Sequence, residues 1–391
     1  MFKELWEHKE PWLQFEAVAV IDKKTAYASG YSINGLFKIN LDTEECEFIK
    51  FFPDANVWAS RLFFSAVQGK NGIYFSPASA DYIAVYDISS GKISQIPIPP
   101  LENVKQKSTL KFGDVFCYRG YVYFVGATYG YILKLNEGTG QITVINLDIQ
   151  DKFFFRRGMI VDNNYYVSSA NSNIILEYRL ETDKAIIHKI GNAGGAWSMC
   201  YDGERFWLPP RAKGDPILCW NRDMGTKESI AITFDEYKPQ NSNFLKCFYA
   251  DNKVIISPEC ARAFLQIDVQ TREVKEIEMP FAEGEYKCGF YFESNQYVYL
   301  PVYVQRGKTI DIKIEKESLK VSKVTFVLKN SGLLEASVKE TLNKNNKLHE
   351  IMKEDTLFDI SEFIAFLQLA NAGETKDDDK NVGANIWSEL I

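Results

Sequence analysis

The sequence predicts an all-β protein: a seven-bladed β-propeller of four-stranded antiparallel blades, with a C-terminal α-helical extension. Three observations lead there. The chain repeats itself seven times at spacings of 41–49 residues, the period of short-stranded radial repeats. Each copy holds up to four runs of strand character, separated by turn residues at matching offsets. Before residue 330 helical periodicity is almost absent, while 27 Phe and 21 Tyr supply side chains suited to pleated surfaces.

The second copy is the clearest, with strands expected over 62–67, 72–76, 82–87 and 92–98. Anchoring each copy on its second strand gives Tyr27, Tyr74, Tyr123, Tyr166, Trp207, Ile255 and Tyr299. The first hairpins then turn at Asp22-Lys23-Lys24, Gly69-Lys70-Asn71, Arg119-Gly120, Asp162-Asn163-Asn164, Asp202-Gly203, Asp251-Asn252 and Ser294-Asn295. These are the residue types that tight hairpins use. Thirteen residues after the anchor a polar residue opens the next turn: Asn40, Asp87, Asn136 and Asp268. The fourth copy has Arg179 there, the fifth is one residue longer (Asn221), and the seventh carries a short insertion. Blades are therefore placed near 14–52, 61–99, 110–148, 154–190, 195–234, 244–280 and 286–328.

The rest divides into a leader, 1–13, and an extension, 331–391. In the extension the period changes. Leu357, Ile360, Phe363, Ile364 and Leu367 form a helical stripe, with Asp359 as N-cap and Glu362 three residues on. Lys376-Asp377-Asp378-Asp379-Lys380 reads as an acidic linker, and Val382, Ile386 and Leu390 share one face of a last short helix.

Net charge is -7 over 391 residues. The extension holds six Lys against twelve Asp or Glu, so the propeller itself is nearly neutral. No broad basic face exists to displace counterions, which argues against nucleic acid as a partner. No apolar run is long enough to span a bilayer, and the first ten residues lack the apolar core of a signal peptide. The seven cysteines are scattered and never form CxxC, as expected of reduced thiols in a cytoplasmic protein.

The strands Ile73-Tyr74-Phe75 and Val85-Tyr86-Asp87, followed by Gly91-Lys92, resemble those of the seven-bladed propeller superfamily of kelch-like, quinoprotein-like and SMP-30-like proteins. The resemblance covers residues 14–328 and implies the architecture. It departs from kelch proteins in lacking paired glycines, Gly194-Gly195 excepted. Asn381-Val382-Gly383 and Ile386-Trp387 make the chain end similar to cytoplasmic propellers of bacterial surface-polysaccharide gene clusters, which implies only that context.

Propellers bind ligands at the mouth of the central channel, where the loops into the innermost strands and the second-to-third-strand loops converge. The first set offers Gln14 or Glu16, Arg61, Lys111, Arg156, Arg157, Trp197, Lys246 and Lys287, so five of seven blades bring a cation. Clustered cations between low-dielectric walls concentrate anions, and arginine adds bidentate recognition of carboxylate or phosphate. The second set adds Asn34, Asp81, Tyr129, Asn171, Arg211, Glu259 and Tyr303; aromatics beside charges suit an acidic sugar. The competing reading is that these cations pair with carboxylates between blades.

Catalytic chemistry has thinner support. His8, His188 and His349 are too far apart along the repeats to meet in the channel, so neither a metal centre nor histidine catalysis is expected, and no cofactor motif is present. The function expected is non-catalytic binding of an anionic saccharide, another small acid or a protein partner at the channel mouth. The alternative is an enzyme acting on a sugar or sugar acid, with Glu16, Asp114 or Glu259 as its carboxylate.

Overall fold

The structure, a computed structural model, describes residues 14–329 apart from 32, 56–58, 102–109, 213, 233–243, 260–263, 278–286, 289–291 and 305–307. The leader and the helical extension expected from the sequence lie outside the described residues. The remainder forms seven sheets of antiparallel strands, each drawn from one consecutive stretch of chain except for a short parallel strand that joins the first. In blade 2 the order runs Phe63–Gln68, Ile73–Pro77, Tyr82–Asp87, Lys92–Pro97 from the axis outward. Val67 faces Tyr74, Tyr74 faces Val85, and Val85 faces Ser94. The second strand is wholly buried and the outermost half exposed. The apolar side chains of the inner strands are thus the ones that a neighbouring blade covers.

The core lies between neighbouring blades. Tyr27, Phe63, Phe75 and Tyr86 join blades 1 and 2, Tyr123, Phe155, Tyr165 and Tyr178 join blades 3 and 4, and Trp207, Cys247 and Leu265 join blades 5 and 6. Phe116 is stacked between Tyr123 and Tyr165, with ring centroids 5.0 and 4.5 Å away. Such offset aromatic pairs add to the gain from burial alone.

The turn residues read from the sequence act as anticipated. The side-chain oxygen of Asn40 accepts from the N–H groups of Asp42 and Thr43 at 3.0 and 3.1 Å. Asp87, Asn136 and Asp268 do the same two and three residues on. Four residues after the turn opens, the backbone takes a left-handed conformation in every blade: Glu44, Gly91, Gly140, Asp183, Gly225, Arg272 and Leu319. Glycine fills only three of those seven places, which is why a search for glycine alone misses the recurrence.

Ring closure was not foreseen. Val327–Leu328, placed in blade 7 by the repeat, instead pairs parallel to Glu45 and Cys46 at the outer edge of blade 1. Val327 N–H donates to the Glu44 carbonyl and Lys329 N–H to that of Cys46, both at 2.9 Å. Lys313 and Lys329 hold Glu44 and Glu45 at 2.7 and 2.6 Å. This clasp predicts that Val327→Pro, which deletes a donor, costs about 1–3 kcal/mol, read as a lower urea midpoint. An unchanged midpoint would show that the clasp adds nothing to stability.

Candidate functional site

We call upper the side on which the chain enters each innermost strand. There Arg61, Arg156 and Arg211 alternate with aromatic rings. The Arg61 guanidinium lies 5.4 Å from the ring of Tyr31 and 5.9 Å from that of Phe64. Arg156 lies 4.8 Å from both Phe64 and Trp197, and Arg211 lies 4.5 Å from Trp197. The row reads Tyr31, Arg61, Phe64, Arg156, Trp197, Arg211 and takes residues from blades 1, 2, 4 and 5. Phe64 and Arg156 belong to blades that are not neighbours, so the row crosses the channel mouth. All three arginines are half-buried.

Each member is held in place. Arg61 has a left-handed backbone, φ +53°, and its N–H donates to the Tyr31 carbonyl at 2.8 Å. A residue this bulky in that conformation is uncommon. Arg211 Nη1 donates to the Ala170 carbonyl at 2.7 Å, and Trp197 Nε1 donates to the Glu259 carboxylate. Phe154 packs edge-on against Trp197 at 5.7 Å.

Other residues of the expected ring do different work. Lys111 is buried, and its ammonium donates to Asp81 at 2.5 Å, the Ala80 carbonyl at 2.7 Å and the Ser79 carbonyl at 3.1 Å. All three of its donors are occupied, so Lys111 clamps a blade 2 loop to blade 3. Asn34 accepts from Phe52 N–H and donates to its carbonyl, bracing its own loop. Tyr129 is buried against Phe112. Lys287 pairs with Tyr303 in the blade 7 sheet, but both side chains lie outside the described residues.

Deeper in the channel the cations meet carboxylates. Arg61 Nη2 lies 3.3 Å from Glu16 Oε1, and Arg157 Nη2 donates across the axis to the Glu16 carbonyl at 3.1 Å. Burial raises the Glu16 carboxyl from 4.5 to about 7, against the pull of Arg61 and, more weakly, Arg156 and Arg157. Its second oxygen has no hydrogen-bond partner among the described residues. Asp114 is also pushed up by burial, although three donors lower it: Gly158 N–H and the Tyr165 hydroxyl on Oδ2, and its own neighbour Val115 N–H on Oδ1, each at 2.9 Å. A side chain at position 158 would strike the Tyr165 ring and the Tyr166 carbonyl, so only glycine lets that N–H approach. Lys246 lies 3.6 Å and Lys316 3.0 Å from Glu293. Desolvation opposes ionisation of Glu293, whose side chain is still 40% exposed, but Lys246, Lys316 and Arg157 outweigh it and bring the carboxyl down to about 2.

Glu293 and Lys316 escaped the sequence reading. One signal was present. Positions six before each anchor read Ile21, Gln68, Cys117, Ile160, Tyr201, Tyr249 and Glu293, so a single charge interrupts an otherwise uncharged column. His188 meets Glu177 at 2.9 Å in outer strands, away from the channel. Among the described residues no group of three or more His, Cys, Asp or Glu side chains could hold a metal ion. Nor is any helix there long and apolar enough to cross a membrane.

No protein-family model matches this chain, and no curated protein does. Solved structures do match. A streptogramin B lyase is 13% identical with a TM-score of 0.55, covering 81% of this chain and 95% of that one. YCF48 bound to a D1 peptide is 13% identical with a TM-score of 0.54, covering 77% and 91%. A chain of the mitotic checkpoint complex is 7% identical with a TM-score of 0.53, covering 81% and 90%. What they share with this chain is the fold. The chain is a seven-bladed β-propeller. No narrower family within that fold is shown.

Proposed function

We propose that this protein is a non-catalytic binding propeller that holds an acidic segment of a protein partner against its upper face. The observation that carries this reading is the alternating row of Arg61, Arg156 and Arg211 with Tyr31, Phe64 and Trp197. Arginine and tryptophan dominate the energetic centres of protein interfaces, and the planar guanidinium matches the geometry of a carboxylate. A row that takes in four blades suits an extended ligand better than a small one. Two propellers of similar fold, YCF48 bound to a D1 peptide and the mitotic checkpoint chain, occur in complexes with other chains, which supports a partner of this class.

The test is fluorescence polarisation with a labelled glutamate-rich peptide, with oligogalacturonate as a saccharide of similar charge. Arg156→Ala combined with Arg211→Ala is expected to weaken peptide binding by about a hundredfold, at about 1–2 kcal/mol per arginine, while near-ultraviolet circular dichroism stays unchanged. Equal affinity in the altered protein would sink the reading. Preference for oligogalacturonate would move the ligand to the saccharides.

One observation favours an enzyme instead: a carboxyl raised to about 7, as on Glu16, suits general acid–base work. Against it, the Glu16 side chain is 0% exposed, and Asp114 is already engaged by three donors.

A further inference from the structure

Arg61 belongs to the upper row and also reaches inward. Its guanidinium lies between the rings of Tyr31 and Phe64 at the mouth, and its Nη2 lies 3.3 Å from Glu16 Oε1 beneath. The Arg61 side chain is 33% exposed and that of Glu16 is 0% exposed. One guanidinium therefore stands between solvent and a buried carboxyl. The bond from Arg61 N–H to the Tyr31 carbonyl anchors it close to both.

The charges acting on this carboxyl are cations. Arg61 comes from the entry to blade 2, and Arg156 and Arg157 come from the entry to blade 4. Arg157 Nη2 donates to the main-chain carbonyl of Glu16, not to its carboxylate. From the same blade Ser29 brings only a hydroxyl, which accepts from Ala17 N–H at 3.4 Å. Asp114 and Glu293 also feel Arg157. Glu16 Oε2 has no hydrogen-bond partner among the described residues. A buried carboxylate with one oxygen unserved is costly to ionise, and burial accordingly raises this carboxyl to about 7. The charge facing Arg61 therefore changes across neutral pH, where a glutamate-rich ligand stays ionised throughout.

We propose, building on the reading of the upper face as a site for acidic segments, that Glu16 is a proton-operated control of that face: protonation releases Arg61 from its ion pair and tightens the hold on an acidic segment, and ionisation loosens it. By linkage, a ligand carboxylate beside Arg61 makes ionisation of Glu16 less favourable, so binding takes up protons.

Fluorescence polarisation with the labelled glutamate-rich peptide, at pH 6, 7 and 8 and constant ionic strength, tests it. The natural protein is expected to bind about fivefold more tightly at pH 6 than at pH 8. Glu16→Gln is neutral at every pH. It is expected to show no trend and to bind at pH 8 as tightly as the natural protein does at pH 6. Titration calorimetry of the natural protein at pH 7, in PIPES and in imidazole, needs no variant and is expected to show uptake of part of a proton. Equal affinity at pH 6 and pH 8, no proton uptake, or a trend that persists in Glu16→Gln and so belongs to Asp114 would overturn the control and leave the acidic-segment reading standing. Absence of peptide binding at every pH would overturn both.

Discussion

Asp114→Ala is expected to destabilise the protein by about 3–5 kcal/mol, the cost of removing one member from a buried charged network. Asp114 is 8% exposed, and its carboxylate accepts from Gly158 N–H, the Tyr165 hydroxyl and Val115 N–H. Truncation leaves those donors buried without an acceptor, and each unsatisfied group costs about 1–3 kcal/mol. It also removes a carboxyl that interacts with the Arg157 guanidinium. Asp114→Asn keeps an acceptor and is expected to lose less than half as much. Urea denaturation at neutral pH measures both. A loss below 1 kcal/mol for the alanine variant would mean that blades 3 and 4 do not depend on this carboxylate.

The second large effect is a dependence on pH that Glu16→Gln removes. Folding raises the Glu16 carboxyl from 4.5 to about 7. Between those values the folded chain holds more protons than the unfolded one, so stability falls as pH rises through the window, and the loss is complete above 7. The displacement corresponds to ~3 kcal/mol. Glutamine retains an oxygen for Arg61 and does not titrate. The variant is expected to match the natural protein near pH 4 and to exceed its stability at pH 8. Parallel stability curves from pH 5 to 8 would remove Glu16 as the source. Glu293 acts in the opposite sense. Its carboxyl is lowered from 4.5 to about 2, so its contribution is present above 4.5 and fades as pH falls toward 2. Taken together, these two groups contribute most near pH 4.5, the value from which both carboxyls are displaced.

The blades were legible because their turns depend on local chemistry. Asn40, Asp87, Asn136 and Asp268 bond to backbone two and three residues away, so their spacing survives in the sequence. The site was legible only in part. Counting around the ring located Arg61, Arg156, Trp197 and Arg211 on the upper face, yet their relations are long-range. Glu16 meets Arg61 and Arg157 across 45 and 141 residues, and Glu44 meets Lys313 across 269. An axis gathers side chains in an order set by blade geometry, and no local pattern records which cation finds which carboxylate. The two-residue clasp at Val327–Leu328 was hidden for another reason: it is too short to carry a strand period.

Among the described residues each sheet comes from an uninterrupted run of chain, except that the strand Val327–Leu328 reaches back to join blade 1. During synthesis each petal can therefore complete itself as it leaves the ribosome, without waiting for distant sequence. A chain cut after residue 324 would own all seven sheets as an open arc, and the two residues Val327–Leu328 would decide when it becomes a circle.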